Sequence, residues 1–165
     1  MAVSEPTPDW VFSDGDREAM DLALAEARLA LAEGEVPVGA VITAADGGLL
    51  ARARNRREAD GDPTAHAEIV ALRSAAARLG SWRLDGCTLD VTLEPCAMCA
   101  AAAVLARLGC VVWGAPDAKA GFAGSLANLL DDPRLDHRVA VRSGLRGGEA
   151  KALLERFFAN LRHGG

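Results

Sequence analysis

The sequence predicts an α/β fold in which a mixed sheet of five strands is covered by helices on both faces. Three features lead there. Apolar, β-branched runs alternate with helical patterns, the first two strands are joined by a tight turn signal, and the helices carry clear start and stop residues.

Taken in order, Ser13 and Asp16 stand as a helix N-cap and its N3 acid. A helix follows to about Glu33, with Met20, Leu24, Ala27 and Leu31 on one apolar face, and Gly34 ends it. VPVGAVIT (36–43) reads as a buried strand, ADGG (45–48) as a turn and LLARARN (49–55) as the hairpin partner. The polar stretch READGDP (57–63) reads as a loop before a helix from about Ala65 to Leu79, stopped by Gly80. TLDVTL (88–93) is strand-like, and Pro95 breaks it at the first turn of a helix running to about Arg107. CVVW (110–113) is a short buried strand, followed by a glycine-punctuated loop and a short helix near Ser125–Leu130. HRVAV (137–141) makes the last strand and Glu149 to about Arg162 the final helix.

Half of the 165 residues are hydrophobic, enough for one core, so residues 13–162 are expected to form a single domain behind a flexible segment, 1–12. MAVSEPTPDW lacks the basic head and apolar run of a signal peptide, and no apolar stretch nears the roughly 20 residues that span a bilayer. A cytoplasmic protein without membrane contact is the expectation. The net charge of −5 gives no bulk attraction for nucleic acid, so only a local basic patch could serve such a partner. In this setting Cys87, Cys96, Cys99 and Cys110 read as metal ligands or buried thiols rather than disulfides.

Two stretches hold the chemistry. In LEPCAMC (93–99), Cys96 and Cys99 lie three residues apart at a helix start, which puts their Cβ atoms about 5–6 Å apart on one face. Two thiolates so placed can share a tetrahedral zinc, and the helix N-terminus favours anionic sulfur. In DPTAHAEI (62–69), His66 holds the corresponding place on the preceding helix. If both helices flank one sheet, their N-termini can face a common point. His66, Cys96 and Cys99 then make three ligands, the number that leaves a catalytic zinc one position for water. Cys87 and Cys110 sit at the edges of apolar strands and read as core. On an ideal helix Glu68 points about 200° away from His66, so it is no equivalent ligand. A frayed first turn would let its carboxylate reach the cavity as a general base. Each piece alone has an ordinary reading: a CxxC pair is weakly specific, and acids suit helix starts anyway. The combination, H-A-E about thirty residues before P-C-x-x-C, points to zinc-dependent hydrolysis.

HAE (66–68) with PCAMC (95–99) resembles the signature of the zinc-dependent nucleobase deaminases. EVPVGAV (35–41), DPTAHAEI (62–69), TLEPCAMCA (92–100), GAPDAKAGFAGSL (114–126), DHRV (136–139) and LLERFF (153–158) are similar to blocks of the bacterial tRNA adenosine deaminase family. The likeness runs from about Met20 to Phe158. It implies a three-layer α/β/α cytidine-deaminase-like fold, a homodimer, and hydrolysis of adenosine to inosine at the wobble position of a tRNA anticodon, with a tRNA-Arg as the expected substrate. By the same resemblance one zinc per chain is held by His66, Cys96 and Cys99. Glu68 is the proton shuttle for attack at C6 of adenine. Asn55 contacts the base, Asp117 is near the target ribose, Lys119 near the RNA backbone, and Phe158 is on a helix near the anticodon stem-loop. Apart from the resemblance, a base lying against the backbone between His66 and Glu68 would need the small side chain of Ala67 there, which makes Ala67 a further substrate-binding candidate.

Alternation in ARARNRR places Arg52, Arg54 and Arg56 on one strand face, as a basic stripe expected to meet solvent, and turns Asn55 inward. Asn can offer a donor and an acceptor together to an adenine edge. Two rivals remain at this point: a deaminase of free guanine, cytosine or cytidine, and a zinc-stabilised RNA-binding module without chemistry. Glu68 argues against the second, since a structural zinc site has no use for that acid.

Overall fold

The computed structural model describes residues 5–164. Helix α1 (Asp14–Ala32) begins in a reciprocal capping box, in which the Asp16 N–H donates to Ser13 Oγ at 3.0 Å and the Ser13 N–H to the Asp16 carboxylate at 2.9 Å. Strands β1 (Gly39–Thr43) and β2 (Leu49–Arg54) form the hairpin. A single helical turn, α2 (Arg57–Asp60), leads to α3 (Ala67–Leu79), β3 (Thr88–Leu93), α4 (Ala97–Leu105) and β4 (Cys110–Ala115). β5 (Ala140–Ser143) and α5 (Gly147–His163) complete the fold.

The five strands lie in the order β2-β1-β3-β4-β5, with β1 antiparallel to both neighbours and β3, β4 and β5 parallel. The period-2 alternation of side chains builds one core on each face. Ala40, Ile42, Leu89, Val91, Val111 and Trp113 pack with Ala71 and Leu72 of α3 and Ala100 and Ala103 of α4. Val41 and Val112 face Met20, Ala23 and Leu24 of α1 and Ala150 of α5. The expected three layers and mixed sheet are therefore present. α1 lies so close on β1 that a Cβ at Gly39 would stand 1.8 Å from the Ala23 carbonyl oxygen. Only glycine fits there.

Several boundaries differ from the sequence reading. Residues 57–60, expected as loop, form α2, because the buried Glu35 carboxylate accepts from the Glu58 and Ala59 N–H groups at 3.2 and 2.7 Å and caps that turn. The helix expected near Ser125–Leu130 is only a 3₁₀ turn, Leu129–Asp131. The last strand starts at Ala140 rather than His137; the His137 ring instead meets the Leu108 carbonyl at 2.7 Å. Of the segment expected to be flexible, residues 1–4 lie outside the described residues. Further along it, Thr7 is tied to β5, its N–H donating to the Ser143 carbonyl at 3.0 Å.

The largest departure concerns the arginine stripe. Its side chains do reach solvent, Arg52 and Arg56 being 40% and 39% exposed, but their charges are not free. Arg52 and Arg54 reach across to the buried Glu26 carboxylate of α1 at 2.7 and 2.9 Å, and Arg54 also pairs with Glu33 at 2.7 Å. Arg56 pairs with Asp60 at 2.9 Å. Glu26 of α1, its C-cap Glu33 and Asp60 of α2 thus meet the charges that looked free in the sequence.

Candidate active site

Helices α3 and α4 start side by side, and their N-cap residues are His66 and Cys96. Both caps are extended, with φ/ψ of −65/151° and −73/177°. The loop before His66 is held by the Asp62 carboxylate, which accepts from the Thr64 N–H and hydroxyl at 2.8 Å each. Cys96 follows the end of β3 by only Glu94 and Pro95, so the sheet delivers the second cap to the first. As N-cap and N3 of α4, Cys96 and Cys99 face one another in the way that serves a capping box elsewhere.

His66 Nδ1 lies 3.6 Å from Cys96 Sγ and 3.5 Å from Cys99 Sγ, and the three ligand atoms all lie within 4.8 Å of one another. Cys87 is instead buried in the core beneath α3 and α4, and Cys110 packs against the other core, as expected. One imidazole and two thiols, with no further His or Cys in the group among the described residues, suit a zinc ion that keeps a position open. The Cys96 thiol is held down to about 4, first by the hydrogen bond from the Cys99 thiol, and Cys99 is correspondingly pushed up. His66 is raised by its hydrogen bond to Cys96. Protons shared in this way are the ones a metal ion displaces.

Glu68 is buried, with its Oε2 3.5 Å from Cys99 Sγ. The 200° separation anticipated on an ideal helix does not apply, because His66 is the extended cap and only Glu68 is inside the helix. Ligand and acid can therefore converge. Burial pushes the Glu68 carboxyl above its ordinary value, with the negative Cys96 adding to the rise and His66 opposing it. A carboxyl whose proton affinity is raised in this way is suited to accept a proton and give it back.

A cavity of about 140 Å³ opens over these groups. Asn55, Ala67, Glu68 and Asp117 line it beside His66 and Cys96. Asn55 is buried and turned inward as expected; its Nδ2 donates to the Val36 carbonyl at 3.4 Å and its Oδ1 accepts from the Arg57 N–H at 3.2 Å. That leaves one N–H and one lone pair for a ligand. Lys119 and Phe158 are not in this cavity. They flank a separate groove with Lys151, Leu154 and Arg162, where Phe158 is 48% exposed. Sequence reasoning overlooked Arg57 and Glu94, which also line the cavity. Arg57 was hidden in a run of arginines, whereas Glu94 stood next to the PC motif and could have been singled out as an acid entering an apolar helix start.

The profile of the cytidine and deoxycytidylate deaminase zinc-binding region matches residues 13–115. The chain belongs to this deaminase family. Among relatives, the tRNA-specific adenosine deaminase of Bacillus subtilis strain 168 is 47% identical over 89% of this chain and 91% of its own length. The tRNA(Ile)-lysidine synthase of Deinococcus radiodurans is 51% identical over 87% of this chain, which spans only 25% of that longer protein. A structure from studies of A-to-I editing by tRNA:A34 deaminases superposes with a TM-score of 0.80 at 45% identity, covering 83% of this chain and 99% of that one. A guanine deaminase from Nitrosomonas europaea superposes at 0.76 with 28% identity, covering 87% and 84%. Within the deaminase family the chain therefore stands with the tRNA adenosine deaminases.

Proposed function

We propose that this deaminase hydrolyses adenosine to inosine at the wobble position, 34, of a tRNA anticodon, with an arginine tRNA among its substrates. One observation carries the reading: a single cavity gathers Asn55, Ala67, Glu68 and Asp117 around the His66, Cys96 and Cys99 donor set. Zinc held by those donors supplies the Lewis acidity that lowers the pKa of water from 15.7 toward about 7. Glu68 takes one proton from the attacking water and gives it to N1 of the base, then takes the remaining proton from the new C6 hydroxyl and gives it to the amine, which leaves as ammonia. Asn55 orients the base with its remaining donor and acceptor, and the small Ala67 lets the ring lie against the helix start. Asp117 stands at the rim, suited to the ribose.

Lys119 and Phe158, with Lys151 and Arg162, supply cationic and stacking contacts for the rest of the anticodon stem-loop. Because loop bases are already unpaired, presenting one to the cavity costs at most a few kcal/mol. A second partner is another copy of the chain. Trp82 and Leu105 are 61% and 72% exposed beside Ile69 and Leu72, an apolar face between α3 and α4 that suits a homodimer. A tRNA substrate places the work in the cytoplasm.

The likeness to a guanine deaminase favours a second reading, a free-base substrate. One assay separates the two. The protein is incubated with an adenosine-34 arginine anticodon stem-loop and, in parallel, with guanine, cytosine, adenosine and cytidine. Inosine formed in the RNA alone supports the first; turnover of a free base alone overturns it.

A further inference from the structure

We propose that Glu94 is a positioning residue that fastens the substrate loop, residues 116–125, to the metal-ligand turn, and thereby sets substrate affinity. The inference rests on the tRNA reading above and adds a residue to it.

Glu94 is 1% exposed and has no salt-bridge partner among the described residues. A buried carboxylate is costly unless donors meet it. Here every donor to the carboxylate comes from one loop, three backbone N–H groups and one hydroxyl. Its Oε1 accepts from the Asp117 N–H at 3.0 Å and from the Ser125 hydroxyl, and its Oε2 accepts from the Ala123 and Ser125 N–H groups at 3.1 and 3.0 Å. The loop wraps the carboxylate so closely that a Cβ on Gly121 would stand 2.2 Å from Oε2. The same stretch bridges to the metal-ligand turn through Gly121 and Cys96, and the Phe122 N–H donates to the Pro95 carbonyl at 2.9 Å.

What the loop carries gives the arrangement its meaning. Asp117 and Ala120 line the cavity, and the Asp117 carboxylate accepts from the Lys119 and Ala120 N–H groups at 3.1 Å each. Glu94 thus fixes Asp117 by its backbone, and Asp117 fixes the turn that displays Lys119. His66 and Glu68 belong to the α3 start and do not depend on this loop. Losing the fastening should therefore impair binding more than proton transfer.

The test compares the zinc-loaded full chain with Glu94→Gln, Gly121→Ala and the double variant, using the anticodon stem-loop. Glutamine keeps the shape but points N–H donors at loop N–H donors. KM should rise about ten-fold or more, the scale of one lost charged hydrogen bond, with kcat within about three-fold and zinc content unchanged. Gly121→Ala should act likewise, and the double variant should fall short of the summed effects, because both disturb one contact. An unchanged KM, or zinc loss with a matching fall in kcat, overturns the proposal. Hydrogen exchange on the wild type tests the fastening itself without any variant: the Asp117, Ala123 and Ser125 amides should be protected, and free exchange at all three overturns the proposal. A wild type that edits no stem-loop defeats the functional reading instead and leaves the exchange result standing.

Discussion

The Glu68 carboxylate and the Cys99 sulfur lie 3.5 Å apart, both buried, one on the first turn of α3 and the other on the first turn of α4. The contact brings an acid to the edge of the donor group without making it one of the three that converge. The three potential metal donors and an acid outside their group thereby share one small volume.

Glu68→Gln should retain about one zinc per chain and the wild-type melting temperature, because its neighbours and volume are unchanged. Its rate of inosine formation should fall by about 10²-fold to 10⁴-fold, the usual contribution of a positioned acid/base. Zinc by elemental analysis and a single-turnover assay read both; full activity would remove Glu68 from the reaction.

Cys96→Ser and Cys99→Ser should each lose most of the zinc. Because the ligands must shed protons to bind metal, zinc should also leave the wild type as pH is lowered. Metal release followed with a chromophoric chelator across pH measures this. Full zinc retention in either variant would refute its ligand role.

Asp90 should make the protein less stable in alkali. It lies in the sheet row that faces α1 and α5, between Val41 and Val112, and its carboxyl is pushed up to about 8, first by burial and then by Asp16, against Arg142. The folded chain keeps this proton from about pH 4 to about pH 8, while the unfolded chain has lost it, so stability falls as pH rises through that window. The slope can reach about 1.4 kcal/mol per pH unit. Asp90→Asn should raise the melting temperature more at pH 8.5 than at about pH 5; an equal shift at both would show that the titration contributes nothing.

Arg54→Ala should destabilise the fold yet leave the salt dependence of RNA binding unchanged, since Glu26 and Glu33 already hold that guanidinium. Lys119→Ala should do the reverse, reducing the slope of log K against log salt by about 1 if the lysine meets a phosphate. Denaturant melts and a salt titration of stem-loop binding give both answers.

Leu105→Glu should shift the protein toward the monomer in sedimentation, because it places a charge on the apolar face between α3 and α4. A monomeric wild type would refute the homodimer.

The sequence by itself determined the layered α/β architecture and the donor set of the zinc site. Strand runs, capping residues and the HAE and PCAMC spacings are local signals, and local rules read them. His66, Cys96, Cys99, Glu68 and the inward turn of Asn55 were all legible that way. Only the tertiary structure decided which charges are free. Arg52 and Arg54 looked like free charges of a basic stripe until Glu26 and Glu33 were found against them, and no local pattern reports an acid 21 to 28 residues away in sequence. It also separated Lys119 and Phe158 from the deamination cavity and gave Glu94 its loop, since both depend on chain segments brought together across the sheet. Periodicity specifies which way a side chain points. What it meets there is set by packing over long sequence distances.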